Sequence, residues 1–367
     1  GVLIVVIPFL VFYVIKAQKE HPKGLISAAL ANMGERFGYY IMNAVLLLFL
    51  CSKFGISDDA AGWIYAVFYF LIYVLSLPGG MIADKTQKYK GTIISGLLCM
   101  AIGYTLLSIP VFGEANNGGI SWVLIFTCVA LLIIAFGNGL FKGNLQALVG
   151  QLYDNPKYAD KRDSGFQIFY MFINIGGCVA PFIATWVRDS FVKSQGFLYN
   201  SDLPGLCWQY KNGEMTQEVL NGRFTELATQ VSNGVTPDMT AFADAYLNAF
   251  NTGFHYAFSV AIVAMLVSLV IFLAYKKVLP NPAAKEKVEK AVPSKEEIKQ
   301  DAKEIKQRIL ALFAVFGIVI FFWFSFHQNG LTLTMFAKDY TLLEVFGMPI
   351  SAEIFQSINP FVVVFLT

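Results

Sequence analysis

The chain has 367 residues, 56% hydrophobic and 14% charged, with 27 Lys and Arg against 25 Asp and Glu. A soluble domain is about 45–50% apolar and about 25% charged, so a water-soluble protein, a disordered chain and a small disulfide scaffold are all excluded. The formal charge of +2 offers no basic field for nucleic acid. The composition is that of an all-α polytopic membrane protein.

Residues 1–15, GVLIVVIPFLVFYVI, are apolar but short of the ~20 residues that span hydrocarbon, and they lack the features of a signal peptide. Residues 1–20 are left unassigned. Apolar stretches follow at 25–52, 60–83, 91–111, 120–150, 164–189, 253–278, 307–337 and 347–367. Each is near or above the length of a membrane-spanning helix, because a helix pairs its backbone groups internally where no water can. The eighth runs to Thr367, so the sequence reads as a fragment that would not transport alone.

If residues 16–24 are cytoplasmic, 19 Lys and Arg fall on the inner side and 6, Arg188 among them, on the outer. The excess of inner positive charge supports that orientation and places 279–306 inside as well. Two connections are long. Residues 190–252 form an external insertion, with amphipathic helices expected near 215–231 and 238–250. Residues 279–306 form a charged linker helix, with Ser294 and Glu297 in a capping-box pattern. Six spans (21–278), a linker and the start of a second bundle (307–367) make a 6+6 transporter plan. The five cysteines are scattered and read as small core residues; a Cys51–Cys207 bridge on the outer side is the disfavoured alternative.

Glu35, Arg36 and Lys142 lie inside spans, where an ionisable group costs about 2.5–3.5 kcal/mol and marks a watery cavity or a partner. Asn32, Arg36 and Tyr40 recur at i, i+4, with Glu35 and Tyr39 in a parallel row, so one face of the first helix is polar for about two turns. Glu35 is expected to pair with Lys142 or Arg36. One carboxylate against two cations leaves a positive excess that an anionic group on a substrate would match. A purely structural ion pair is the plain alternative. His327 is a fourth ionisable group within a span.

Several motifs then resemble the proton-coupled oligopeptide transporter (POT) family of the major facilitator superfamily. They are H-P-K-G (His21–Gly24), E-R-F-G-Y-Y (Glu35–Tyr40), G-G-M-I-A-D (Gly79–Asp84), G-N-G-L-F-K (Gly137–Lys142) and F-Y-M-F-I-N-I-G (Phe169–Gly176). F-W-x-x-x-x-Q (Phe322–Gln328) and Q-S-I-N-P (Gln356–Pro360) complete the set. The resemblance spans residues 21–367. It implies a secondary transporter that imports di- and tripeptides with protons by alternating access. The cell inner membrane would be its site, a monomer its form, and the proton gradient its energy source in place of any cofactor.

By the same resemblance Arg36, Lys142 and Asn174 would hold the peptide carboxylate, and Tyr39, Tyr40 and Tyr73 would line the pocket. Asn359, with an acidic residue of a later helix, would hold the ammonium end. Trp323 and Phe324 would line the cavity, and Asp84 would belong to a cytoplasmic lock. Two positions depart from the family pattern: Asn32 and His327 stand where carboxylates implicated in proton coupling are usual. His327, Glu35 or neither would carry the proton. The alternative is the same fold carrying a different anion, nitrate or a modified amino acid, or altered proton coupling. Neither H-E-x-x-H nor G-x-S-x-G is present, so an intramembrane enzyme has no support.

Overall fold

The computed structural model of the chain describes residues 19–111, 121–280, 295–330, 332–345 and 348–366. The apolar stretch 1–18 and Ser294 of the expected capping box lie outside them. Among the described residues the chain is all-α apart from a two-residue ladder that pairs Glu344 with Pro349 and Val345 with Met348. Among the described residues seven helical segments are long and apolar enough to cross a membrane.

The first is α1, Gly24–Phe54, closed by Gly55 in the left-handed conformation. The second span breaks at Leu75 into α2, Asp58–Val74, and α3, Ser76–Thr86. The break has a covalent cause, since Pro78 has no N–H to give the carbonyl of Val74. α4 is Tyr89–Ser108, α5 is Trp122–Leu152 and α6 is Arg162–Ser194. Within α6, Pro181 likewise leaves the Gly177 carbonyl without its helical donor.

α1 sits inside the body, packed against α2, α5, α6 and α9 (Met239–Tyr275). Small residues permit this. A Cβ at Gly38 would lie 2.5 Å from the Met265 methyl, and the α3–α5 crossing is tighter still, with a Cβ at Gly79 only 2.2 Å from the Gly139 carbonyl oxygen. Ser268 ties α9 to α1 by donating to the Ala31 carbonyl at 2.5 Å.

The structure corrects three expectations. Residues 238–250 are not a separate external helix: α9 runs unbroken from Met239, capped by Asp238, which accepts from the Ala241 N–H at 2.9 Å. No proline separates Phe250 from the apolar run, and Phe242 and Tyr246 extend the helix outward to pack on Phe197. The insertion adds α7 (Leu203–Lys211), which was not foreseen, and an irregular helical stretch ending in α8 (Thr225–Val231). The seventh span is not continuous to residue 337. α10 (Lys295–Phe326) gives way at His327–Gly330 to a 3-10 turn and then α11 (Thr332–Tyr340). The polar run His-Gln-Asn-Gly competes with regular helix there. The eighth apolar stretch is likewise shorter than a span, comprising a 3-10 turn, Ala352–Ser357, and α12, Ile358–Leu366.

Cys51 and Cys207 are both free thiols, and burial raises the Cys207 thiol to about 12.

Before α1, His21 is buried with its Nδ1 2.9 Å from the Tyr153 hydroxyl, pinning the chain to the end of α5. Burial, and then Lys161, hold this imidazole below its ordinary value of 6.5. The unfolded chain therefore takes up the proton first. Stability contributed by the neutral ring is present above pH 6.5 and declines as the pH falls below it. The thermal midpoint should drop between pH 7.5 and 5.5 by less in His21→Gln than in the parent, and an equal drop would show that His21 is not responsible.

Candidate functional site

The polar face of α1 organises the site. Glu35 is fully buried and accepts two bonds from its chain neighbour Arg36, Nε at 2.5 Å and Nη2 at 2.7 Å. Asn138 of α5 donates a third to the same carboxylate at 2.9 Å. The sequence left Lys142 or Arg36 as the partner of Glu35, and Arg36 is the one that holds it. Lys142 instead places its Nζ 4.7 Å from the centre of the Tyr73 ring and has no carboxylate partner among the described residues. The expected positive excess is therefore located on Lys142.

Both cations face one cavity of about 310 Å³, within the usual range of small-ligand sites. Arg36, Tyr39, Tyr40 and Asn32 reach it from α1, Tyr73 from α2, Lys142 from α5, and Asn174 from α6. Trp323, His327 and Asn359 close it from the later segments. The break after Phe326 aims His327 inward, where it stacks on Trp323 at 5.3 Å and meets the edges of Tyr69 and Tyr73 at 5.0 and 5.9 Å. Ten of the thirteen residues proposed from sequence line this cavity. Glu35 stands behind Arg36. Asp84 is remote, on α3, where it accepts a bond from the Tyr89 hydroxyl. Phe324 is 71% exposed and does not line the cavity; Phe326 does.

Sequence reasoning missed Asn43, Tyr69, Gln146, Tyr170 and Gln356. Spacing could have found four of them. Asn43 lies four residues beyond Tyr39, Tyr69 four before Tyr73, Gln146 four beyond Lys142 and Tyr170 four before Asn174, each on the same helix face. Asn43 is the hub of a network. Its carbonyl oxygen accepts from the hydroxyls of Tyr65 (2.8 Å) and Tyr69, and its amide donates to Gln356 at 3.1 Å. Gln356 in turn donates to the Thr334 hydroxyl at 3.1 Å. Side chains of α1 and α2 are thus joined to those near α11 and α12 on one side of the cavity.

A second tie lies at the far end of α6. Arg188, counted from sequence among the outer charges, is fully buried, because the insertion folds over it. It donates to Glu353, itself 0% exposed, to Ser351 at 2.9 Å and to Asp189 at 2.8 Å. Its guanidinium lies 4.2 Å from the Tyr199 ring centre and within 5.6 Å of Phe250 and Phe254. A separate cavity of about 350 Å³ borders the end of α1 and α7, and Asp58, Glu214 and Lys338 are among the residues that line it. Among the described residues no group of three His, Cys, Asp or Glu could hold a metal ion.

Residues 90–296 match the model of the POT family. The chain belongs to the POT family. It is 35% identical over 172 residues to dipeptide and tripeptide permease B of Shigella dysenteriae serotype 1 (strain Sd197), covering 47% of this chain and 33% of that protein. Over 376 residues it is 25% identical to the peptide transporter YePEPT of Yersinia enterocolitica subsp. palearctica serotype O:3 (strain YE-P4), covering 94% of this chain and 66% of the relative. The chain thus spans from a third to two thirds of the length of these relatives. Among solved structures, a peptide transporter POT in complex with sulfate superposes with a TM-score of 0.58 at 23% identity, covering 94% of this chain and 67% of that one. At that identity the likeness concerns the fold alone. The chain is a multi-pass membrane protein of a peptide-transporter family.

Proposed function

We propose that this POT-family protein imports di- and tripeptides together with protons, by alternating access about the cavity between α1, α2, α5, α6 and the later segments. The observation that carries the reading is Lys142, a cation facing the cavity with no carboxylate partner among the described residues, beside an Arg36 already matched by Glu35. A peptide carboxylate supplies the missing negative charge, and tyrosine and asparagine side chains around it suit a peptide backbone. His327, which faces the cavity, is the proposed proton carrier; Asn32 cannot titrate. Glu35 is better suited to holding Arg36 in place, and Asp84 to a cytoplasmic lock. Residues 21–278 form the first bundle, 279–306 a cytoplasmic linker, and 307–367 open the second, in a monomer of the inner membrane.

The test is uptake of labelled dialanine in liposomes by this chain carried within a transporter of its relatives' full length, with and without an inward proton gradient, competed by unlabelled peptides and by nitrate. Gradient-dependent uptake displaced by peptides is expected. Uptake indifferent to peptides, or displaced only by nitrate, would end the reading; uptake indifferent to the gradient would remove proton coupling alone.

A further inference from the structure

The second cavity, of about 350 Å³, lies on the insertion side of the molecule, and α1 connects it to the central one. Asn43 is the last residue of α1 to reach the central cavity; Cys51, eight residues or about 12 Å further along the helix, lines the second. One wall of the second cavity is held by close packing. Gly55, in the left-handed conformation, lies under the Trp208 ring, where a Cβ would come within 2.6 Å of the indole. The Trp208 Nε1 donates to the Ser52 carbonyl at 2.7 Å, and the Ser52 hydroxyl donates to Asn251 of α9 at 2.7 Å. The insertion is thus fastened to the end of α1, and the cavity is formed in advance of any ligand. Charges of both signs line it: Asp58 at the start of α2, Glu214 just past α7, and Lys338 on α11. Asp58 accepts from the Cys51 thiol at 3.4 Å, and Lys338 has its chain neighbour Asp339 at 3.7 Å. Among the described residues neither carboxylate pairs with Lys338, although all three edge the same space.

A simple anion in this cavity meets two carboxylates, and a simple cation meets the Lys338 ammonium. A molecule that carries both charges satisfies the two kinds of group at once. The Trp208 indole adds an apolar face for a small side chain. We infer that the cavity between α1, α2, α7 and α11 is a second binding site for a short zwitterionic peptide, its ammonium toward Asp58 and Glu214 and its carboxylate toward Lys338. Asp58 and Glu214 are exposed, so salt screens them and this site is the weaker of the two. The inference rests on the peptide reading and goes beyond it by giving the same class of substrate a second place, at the far end of α1 from Arg36.

The experiment is equilibrium binding of labelled dialanine, in detergent, to this chain carried within a transporter of its relatives' full length. Two peptides per chain are expected, the second with a Kd at least tenfold above the first. Asp58→Asn combined with Glu214→Gln, and separately Lys338→Gln, should each weaken the second by at least tenfold. The first Kd should stay unchanged in both variants, which also reports that they remain folded. N-acetyl-dialanine, which lacks the ammonium, should not displace the second peptide. A single bound peptide in the parent overturns the inference while leaving the peptide reading intact. So does a second peptide that either variant retains at the parental Kd, or that N-acetyl-dialanine displaces as well as dialanine does. If no dialanine binds at all, the peptide reading fails and the second site with it.

Discussion

Replacing Arg188 by Met should lower the stability of the folded chain by about 3–5 kcal/mol, the cost of stripping one partner from a buried ion pair. Arg188 and Glu353 are both 0% exposed, so water cannot take over the bond. Glu353 would lose its cationic partner, and its Oε2 already lacks a hydrogen bond among the described residues. Glu353→Met should cost less, because Arg188 retains Asp189 at 2.8 Å and its aromatic neighbours Tyr199, Phe250 and Phe254. The double substitution Arg188→Met, Glu353→Met removes both charges from the low-dielectric site. It should recover a large part of what Arg188→Met loses, since apolar residues of similar volume are tolerated where a lone charge is not. Thermal unfolding of the four proteins in detergent gives the coupling. If the double variant loses the sum of the two single losses, the pair does not act as a unit. The location gives the result its functional interest. The pair joins α6 of the six-helix body to the segment leading into α12, so an alternating-access protein must break or carry it along when those parts separate.

The spans were legible because lipid enforces a simple rule: long apolar runs with few charges become helices. Seven of the eight stretches fall on membrane-length helices, six of them with boundaries within a few residues, apart from the outward extension of α9. The seventh and eighth stretches carry polar interruptions, at His327–Gly330 and Ala352–Ser357. Window-averaged apolarity could not see those breaks, since a helix end is decided by a few residues. The polar face of α1 was legible for a different reason. A charge in a membrane span is rare enough to be informative singly, and the period of 3.6 then assigns its neighbours. Arg188 escaped because it lies at a span end, where charges are common. Its burial depends on the insertion and on Glu353, more than 160 positions later in the chain. The choice between Arg36 and Lys142 as the partner of Glu35 was equally beyond the sequence, because both were within conceivable reach. Only the crossing of α1 and α5 sets Asn138 against Glu35 and carries Lys142 past it to Tyr73.

The contrast between those two cations gives the second expected result. Lys142→Ala should weaken peptide binding by roughly 10- to 100-fold, the equivalent of one charge-assisted hydrogen bond of about 1.5–3 kcal/mol, while leaving the thermal midpoint unchanged or raised. Its ammonium has no ionic partner among the described residues, so its removal strands no opposite charge. Arg36→Ala should weaken binding as well, but with a loss of stability that Lys142→Ala does not show. It leaves the Glu35 carboxylate fully buried with only the Asn138 amide to bond it, and breaking a buried pair in this way costs about 3–5 kcal/mol. Glu35→Gln combined with Arg36→Ala should restore much of that stability without restoring binding, because it removes the stranded charge but not the missing guanidinium. Displacement of a labelled dipeptide and thermal unfolding, measured on the same preparations, separate the two roles. Lys142→Arg should retain more affinity than Lys142→Ala, because it keeps the charge over Tyr73. An unaltered dipeptide affinity in Lys142→Ala would mean that the excess charge on the cavity wall does not meet the substrate. An equal loss of stability in the two alanine variants would mean that Lys142 is a scaffold residue like Arg36.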